Sequence, residues 1–286
     1  MMNDNVIRRI QMEEILILDE VVRICKKHNI QYFLAGGTLL GAVRHHGFIP
    51  WDDDLDIMMM RNDYNKFLKV CEEEIDPRFS LQYEKTDENY WLPFAKVRLK
   101  NTIYDEIKAQ RNIKEKGFWV DIFPLDYSMG SNKWIEQIKR IVLIKIQNGV
   151  RMYKWEANGK ESDDVNSHVL VLYTILKKLG IKNKQLLGLY SRVAKSSRGK
   201  RFIVNQGSKY GIEKQTMPYE YYFPPTMILF EGKDYCAPNR CRDVLSHIYG
   251  DNYMNLPPVE KREIHLASRI MFPGEREMIF DGEKYV

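Results

Sequence analysis

No long uncharged hydrophobic run exists in this chain. Its longest apolar stretch, residues 141–146, is interrupted by Lys145, far short of the roughly 20 residues of a membrane-spanning helix. The N-terminal stretch carries Asp4, Glu13 and Glu14 where a secretory leader has its apolar core. No signal peptide and no membrane span are therefore expected, and a cytoplasmic location is. Cysteine is scarce: Cys25, Cys71, Cys236 and Cys241 are scattered, and only the last two are close. The second pair or spaced histidines of a zinc site are missing, so reduced thiols are expected. Neither sign of charge dominates: 44 Lys and Arg stand against 39 Asp and Glu, a net +5. That balance suits an anionic ligand and lacks the strong basic signature of a nucleic-acid binder. Repeats and low-complexity linkers are absent as well. With 286 residues, 44% hydrophobic and 29% charged, the chain can bury a full core, which excludes disorder and coiled-coil rods.

The pattern along the chain alternates. Apolar residues Ile7, Ile10, Ile15, Leu18, Val22 and Cys25 predict an amphipathic helix over 5–27. A short strand at 32–35 follows, then Gly36-Gly37, a helix over 38–43, and a strand over 54–59. A helix with Asn62 as its N-cap is expected over 62–74, and strand-like pieces at 80–83, 94–99, 102–106 and 118–123, the last ending at Pro124. Residues 131–200 read as helical, and their Lys and Arg, interleaved with Ile and Leu, as a solvated face. Strands return at 201–205, 226–230 and 234–237, the last two around a Glu231-Gly232-Lys233 turn, before a helix over 241–249. The expected fold class is α+β: a mixed-sheet core over 1–130, a helical insert over 131–200, and a C-terminal α/β segment over 201–286 that packs back on the core.

The chemistry concentrates in two places. Residues two apart in a strand share a face, so Asp54 would stand beside Asp56 while Leu55 and Ile57 enter the core. Two adjacent carboxylates raise each other's pKa unless a cation lies between them. Magnesium, with manganese as substitute, is the natural one, since it is hard and shares carboxylates with substrate phosphates. A solvated acidic turn accounts for Asp52 and Asp53, but not for Asp56 between two apolar neighbours. Upstream, Gly36-Gly37-Thr38 marks a strand end and a helix start, where backbone N–H groups can approach a phosphate. Phosphate donors and metal ligands on neighbouring strand ends suit the transfer of a nucleotide or a phosphoryl group.

Gly36-Gly37-Thr38 with Asp54-Leu55-Asp56 resembles the G-[GS]…D-x-[DE] pattern of the nucleotidyltransferase superfamily. The longer stretch FLAGGTLLGAVRHHGFIPWDDDLDI (33–57) resembles the LicD family, phosphorylcholine transferases that use CDP-choline, with the fukutin-type transferases as distant relatives. FAKVRLKNT (94–102), GFWVDIFPLD (117–126), FEGKDYCAP (230–238) and YGDNYMNLPP…R…H (249–265) resemble further segments of that family in order. The helical middle shows no such likeness. The resemblance implies a nucleotidyltransferase-like mixed sheet with flanking helices. It implies a metal pair at Asp54 and Asp56, with Asp121 as third carboxylate, either metal ligand or base. Asp126, past Pro124, reads as a turn residue.

Basic candidates for a diphosphate are Arg44, His45 and His46 after the glycine helix, and Lys96 and Arg98 on one strand face, with Arg44 and Lys96 preferred. Arg262 and His265 match the family's C-terminal R…H. A choline headgroup would want an aromatic cage, for which Trp51, Tyr90, Trp91, Trp119, Tyr219, Tyr221 and Tyr222 are available. The expected activity is Mg-dependent phosphotransfer from CDP-choline or another CDP-alcohol to a hydroxyl of a glycan, such as a teichoic-acid or lipopolysaccharide precursor. A true nucleotidyltransferase, a nucleic-acid-binding module and a non-catalytic scaffold are the competing readings.

Overall fold

The computed structural model describes residues 4–106, 113–131, 133–157, 167–197, 199–208, 210–262, 267–281 and 284–285. Helix α1 (Asp4–Lys27) leads into β1 (Phe33–Leu34), α2 (Gly36–His45), β2 (Asp56–Met60) and α3 (Arg61–Glu74). Then come β3 (Phe79–Gln82), β4 (Ala95–Leu99), β5 (Ile103–Glu106) and β6 (Trp119–Ser128). The predominantly helical middle consists of α4 (Trp134–Ala157), α5 (Ser167–Lys178) and α6 (Asn183–Ala194). The chain closes with β7 (Phe202–Asn205), α7 (Ile212–Gln215), β8 (Thr216–Pro218), β9 (Thr226–Phe230), β10 (Lys233–Ala237), α8 (Cys241–Tyr249), β11 (Ala267–Met271) and β12 (Met278–Ile279). The architecture is mixed α/β.

One mixed sheet of seven strands organises the molecule, in the order β1-β2-β6-β4-β3, with β7 and β8 continuing from β6. Strands β2 and β6 run parallel and every other pair is antiparallel. Helices α1 and α3 pack on each other and on β6, while α2 packs on β2 and α8. The main core draws on residues from Ile7 to Leu125 and again from Ile203 to Phe272. A separate small cluster, with Leu143, Ile146 and Val150 of α4 against Leu186, Leu187 and Tyr190 of α6, holds the helical middle together.

Three expectations are corrected. Strand β6 does not stop at Pro124 but runs to Ser128. One side of β6 pairs with β4 up to Ile122 and with β7 from Leu125. Pro124 falls in the changeover, where a sheet tolerates a residue without an N–H. Asp126 is consequently no turn residue: it is buried in β6, and Arg61 grips it through two hydrogen bonds of 2.8 and 2.6 Å. Asn62 is not the N-cap of α3, which begins at Arg61 behind Met60 with no side-chain cap bond. The β9–β10 hairpin forms as expected on Glu231 and Gly232, both left-handed (φ 50° and 77°) as a two-residue turn requires.

Candidate active site

Register builds the site. Asp56, the first residue of β2, lies opposite Asp121 of β6, and Asp121 lies opposite Lys96 of β4. The Lys96 ammonium is 2.6 Å from Asp121 Oδ1, both side chains being nearly buried. Asp54 precedes the strand rather than belonging to it, but Leu55 and Ile57 are fully buried as alternation requires. The backbone N–H of Asp121 donates to the Leu55 carbonyl, so the parallel pairing reaches back into the acidic loop.

The glycine turn closes against these acids. Gly36 is left-handed (φ 53°), and a Cβ there would stand 2.9 Å from Asp56 Oδ2; one on Gly37 would stand 2.6 Å from Asp52 Oδ2. Only glycine permits so close an approach of backbone to carboxylate. Thr38 is buried, and its Oγ1 accepts the backbone N–H of Asp56 at 2.9 Å. Its visible work is to pin the start of β2 to α2.

Two cavities share Gly36, Asp54, Asp56 and Tyr210. The first, about 480 Å³, is lined further by Arg44, Trp51, Asp52, Tyr249, Tyr253 and Lys261. The second, about 370 Å³, adds Trp91, Phe94, Asp121, Gln147, Arg151 and Asn205. Burial, then the neighbouring Asp54, Asp121 and Asp52, pushes the Asp56 carboxyl well above the usual carboxylate range. Among the described residues no group of three or more His, Cys, Asp or Glu side chains is gathered to hold a metal ion. The donor chemistry of Asp54 and Asp56 nonetheless fits a hard divalent cation, which would relieve the charge crowding that raises Asp56.

The remaining candidates divide. Arg44 lines the first cavity, with Nη1 donating to the backbone oxygens of Tyr253 and Asn255 and Nε to His45 Nε2 at 2.9 Å. His45 is pushed below its ordinary value by burial and by Arg44, and its Nε2 accepts the Arg44 hydrogen bond. His46 caps α2 in the left-handed region and receives the Glu231 N–H on its carbonyl. Arg98 is not brought to either cavity: it is buried, with Nε on Gln82 Oε1 (2.5 Å) and Nη1 on the Gly117 carbonyl (2.7 Å). Arg262 lies 4.0 Å above the Trp51 ring, so that face already carries a cation. His265 lies outside the described residues.

Of the aromatics, Trp119 is buried beneath Lys96 and Arg98, Tyr90 and Tyr222 are core, Tyr219 stacks on Phe223, and Tyr221 carries Arg240. Of that set, Trp51 lines the first of these two cavities and Trp91 the second.

Several residues of the site escaped the sequence. Tyr210 and Tyr249 meet edge-on with centroids 5.8 Å apart and line the first cavity. Asp53 is not a solvated turn acid: it is buried and accepts a hydrogen bond from the Tyr104 hydroxyl. Gln11 of α1 donates to the Asp52 carbonyl at 2.8 Å. Glu14, also of α1, is buried, and burial followed by Asp54, Asp53, Asp52 and Asp121 raises its pKa well above the carboxylate range. A Gln and a Glu at the inner positions of α1 were the available signal.

Known proteins are similar to this chain in sequence. The family described as "LicD/FKTN/FKRP, nucleotidyltransferase domain" matches residues 29–145. The chain is 30% identical over 271 residues to the lipopolysaccharide cholinephosphotransferase LicD of Haemophilus influenzae, covering 91% of this chain and 95% of that protein. A shorter stretch of 43 residues is 44% identical to the ribitol 5-phosphate transferase FKRP of Homo sapiens and of Mus musculus, 15% of this chain and 9% of theirs. The chain belongs to the LicD family. It is a transferase.

Proposed function

We propose that this transferase moves a phospho-alcohol, phosphocholine first among them, from a CDP-alcohol donor to a hydroxyl of a glycan, on a nucleotidyltransferase-like sheet. The observation that carries the reading is the meeting of two cavities at Asp54 and Asp56, as a two-substrate transfer requires. The first cavity takes the donor: Arg44, in the last turn of α2, and Lys261 supply positive charge to a cavity that Gly36 and Gly37 also line, and Tyr210, Tyr249 and Tyr253 offer aromatic faces to a quaternary ammonium. The second takes the acceptor, with Trp91 and Phe94 for sugar faces and Gln147 and Asn205 for hydroxyls.

Asp54 and Asp56 would hold Mg²⁺ or Mn²⁺, which when bound offsets the charge of the diphosphate and of the leaving CMP. Asp121, anchored through Oδ1 by Lys96, takes the proton of the acceptor hydroxyl as that oxygen attacks the distal phosphorus. The Gly36-Gly37 backbone and Thr38 keep these carboxylates in register. The reading is supported by the full-length likeness to a protein named for phosphocholine transfer to lipopolysaccharide.

A thermal-shift comparison of CDP-choline, CDP-ribitol, CDP-glycerol and CTP, each with Mg²⁺, tests donor choice. CDP-choline should raise the melting temperature most. A shift by CTP alone would favour transfer of the nucleotide itself and remove the proposal.

A further inference from the structure

We propose that the outer face of the helix pair α4 and α5 docks on the surface of an anionic lipid bilayer. Helix α4 turns Leu143, Ile146 and Val150 inward, onto α6. Its opposite stripe should then be polar, as on a soluble helix. Instead Trp134 (70% exposed), Ile138 and Ile141 (54%) occupy it at helical spacing, with Ile135 and Val142 beside them. Helix α5 repeats the pattern: Val171 (60% exposed), Ile175 and, just past its end, Leu179 (69%) recur every fourth residue. Isolated exposed leucines are ordinary, but such stripes on two helices packed together are not. Part of the Ile and Leu of this region therefore lies on the surface beside the Lys and Arg, in addition to the part buried between α4 and α6.

Charge selects the occupant. Lys145 of α4, Lys177 and Lys178 of α5, Lys182 in the turn before α6, and Lys184 and Arg192 of α6 itself are exposed. Among the described residues from 133 to 201, Glu136 and Glu156 are the acids. Glu136 is buried on Lys139, and Glu156 is half-buried between Tyr173 and Lys177. Over residues 133–200 as a whole the sequence has 15 Lys and Arg against 5 Asp and Glu, an excess that favours an anionic surface. A second copy of the chain would bring like charges face to face. An anionic bilayer accepts Trp and Ile at its acyl boundary and lysines on its phosphates. Among the described residues no helix is long and apolar enough to cross a membrane, so the contact lies on the bilayer surface. Helix α4 also lends Gln147 and Arg151 to the second cavity, so docking would hold the candidate site close to the lipid.

Flotation of the full chain with two vesicle types tests this. Binding is expected to vesicles of phosphatidylcholine with phosphatidylglycerol, weakening as salt rises, and not to pure phosphatidylcholine. Combining Trp134→Ser, Ile138→Ser and Val171→Ser should lower that binding about tenfold or more, with melting temperature and molecular size unchanged. Combining Lys145→Gln, Lys178→Gln and Lys184→Gln, which leaves both cores untouched, should remove the preference for phosphatidylglycerol and decides the matter if the serine variant unfolds. The proposal is overturned if the wild type floats with neither vesicle or if neither variant set weakens flotation. It is equally overturned if the wild type is a dimer that the serine variant turns into monomer, because the face is then an interface between copies. None of these outcomes depends on which donor the site uses.

Discussion

Asp56 and Asp121 face each other across the parallel pairing of β2 and β6. Asp121 is balanced by Lys96, whereas the Asp56 carboxyl has its pKa driven upward by burial and by other acids. Asp56→Asn is therefore expected to remove at least about a thousandfold of the transfer rate, the scale of losing a main electrostatic group. Its melting temperature should hold or rise, because a crowded carboxyl is gone. Steady-state rates with a parallel melting curve check both halves.

Lys96→Met should behave differently. It leaves Asp121 buried without its ion pair, so a loss of roughly 3 kcal/mol in unfolding free energy is expected together with lost activity. Urea denaturation measures the first. A stable, active Lys96→Met protein would show that the pair neither supports the fold nor positions Asp121.

Arg61 and Asp126 tie the start of α3 to the C-terminal half of β6, with side chains 10% and 0% exposed. Removing one partner, as in Asp126→Ala, should cost about 3–5 kcal/mol by stranding the other charge. Replacing both with apolar residues of similar volume should recover much of that loss. A double-mutant cycle in urea reads the difference.

Glu231 links the β9–β10 turn to α1 and to the loop after α2, accepting from Arg8 (2.9 and 2.6 Å) and from the Phe48 N–H. The Arg8 hydrogen bonds, chiefly, hold its carboxyl below its ordinary value of 4.5. A depressed folded pKa means that the stabilisation is complete above the unfolded value and is lost as pH falls through the folded one. With Arg8 half exposed, screening limits the effect to about 1 kcal/mol. Glu231→Gln should thus be less stable than wild type near neutral pH and equal to it in acid, as melting curves across pH would show.

Much of the site was legible because it is local. Strand, Gly-Gly, helix and D-x-D lie within 33–57, where alternation and turn chemistry act over a few residues. What stayed hidden is long-range. The Lys96–Asp121 pair depends on the β4–β6 register, and Arg61–Asp126 on a strand continuing through a proline. Composition named the aromatics but not which ones face a cavity, so Tyr210, Tyr249 and Tyr253 were missed while Trp119 proved to be core. Residue pattern marked 131–200 as helical without placing α4 and α5 or revealing that an apolar stripe faces outward, since period is silent about which side is covered.

Incubation of the wild-type protein with Mg²⁺, a glycan acceptor and CDP-choline labelled on both the choline and the cytidine tests the central claim most directly. The account predicts choline label on the acceptor, cytidine label released as CMP, and neither product with a folded Asp56→Asn protein. Cytidine label on the acceptor, or normal transfer by that variant, would contradict it.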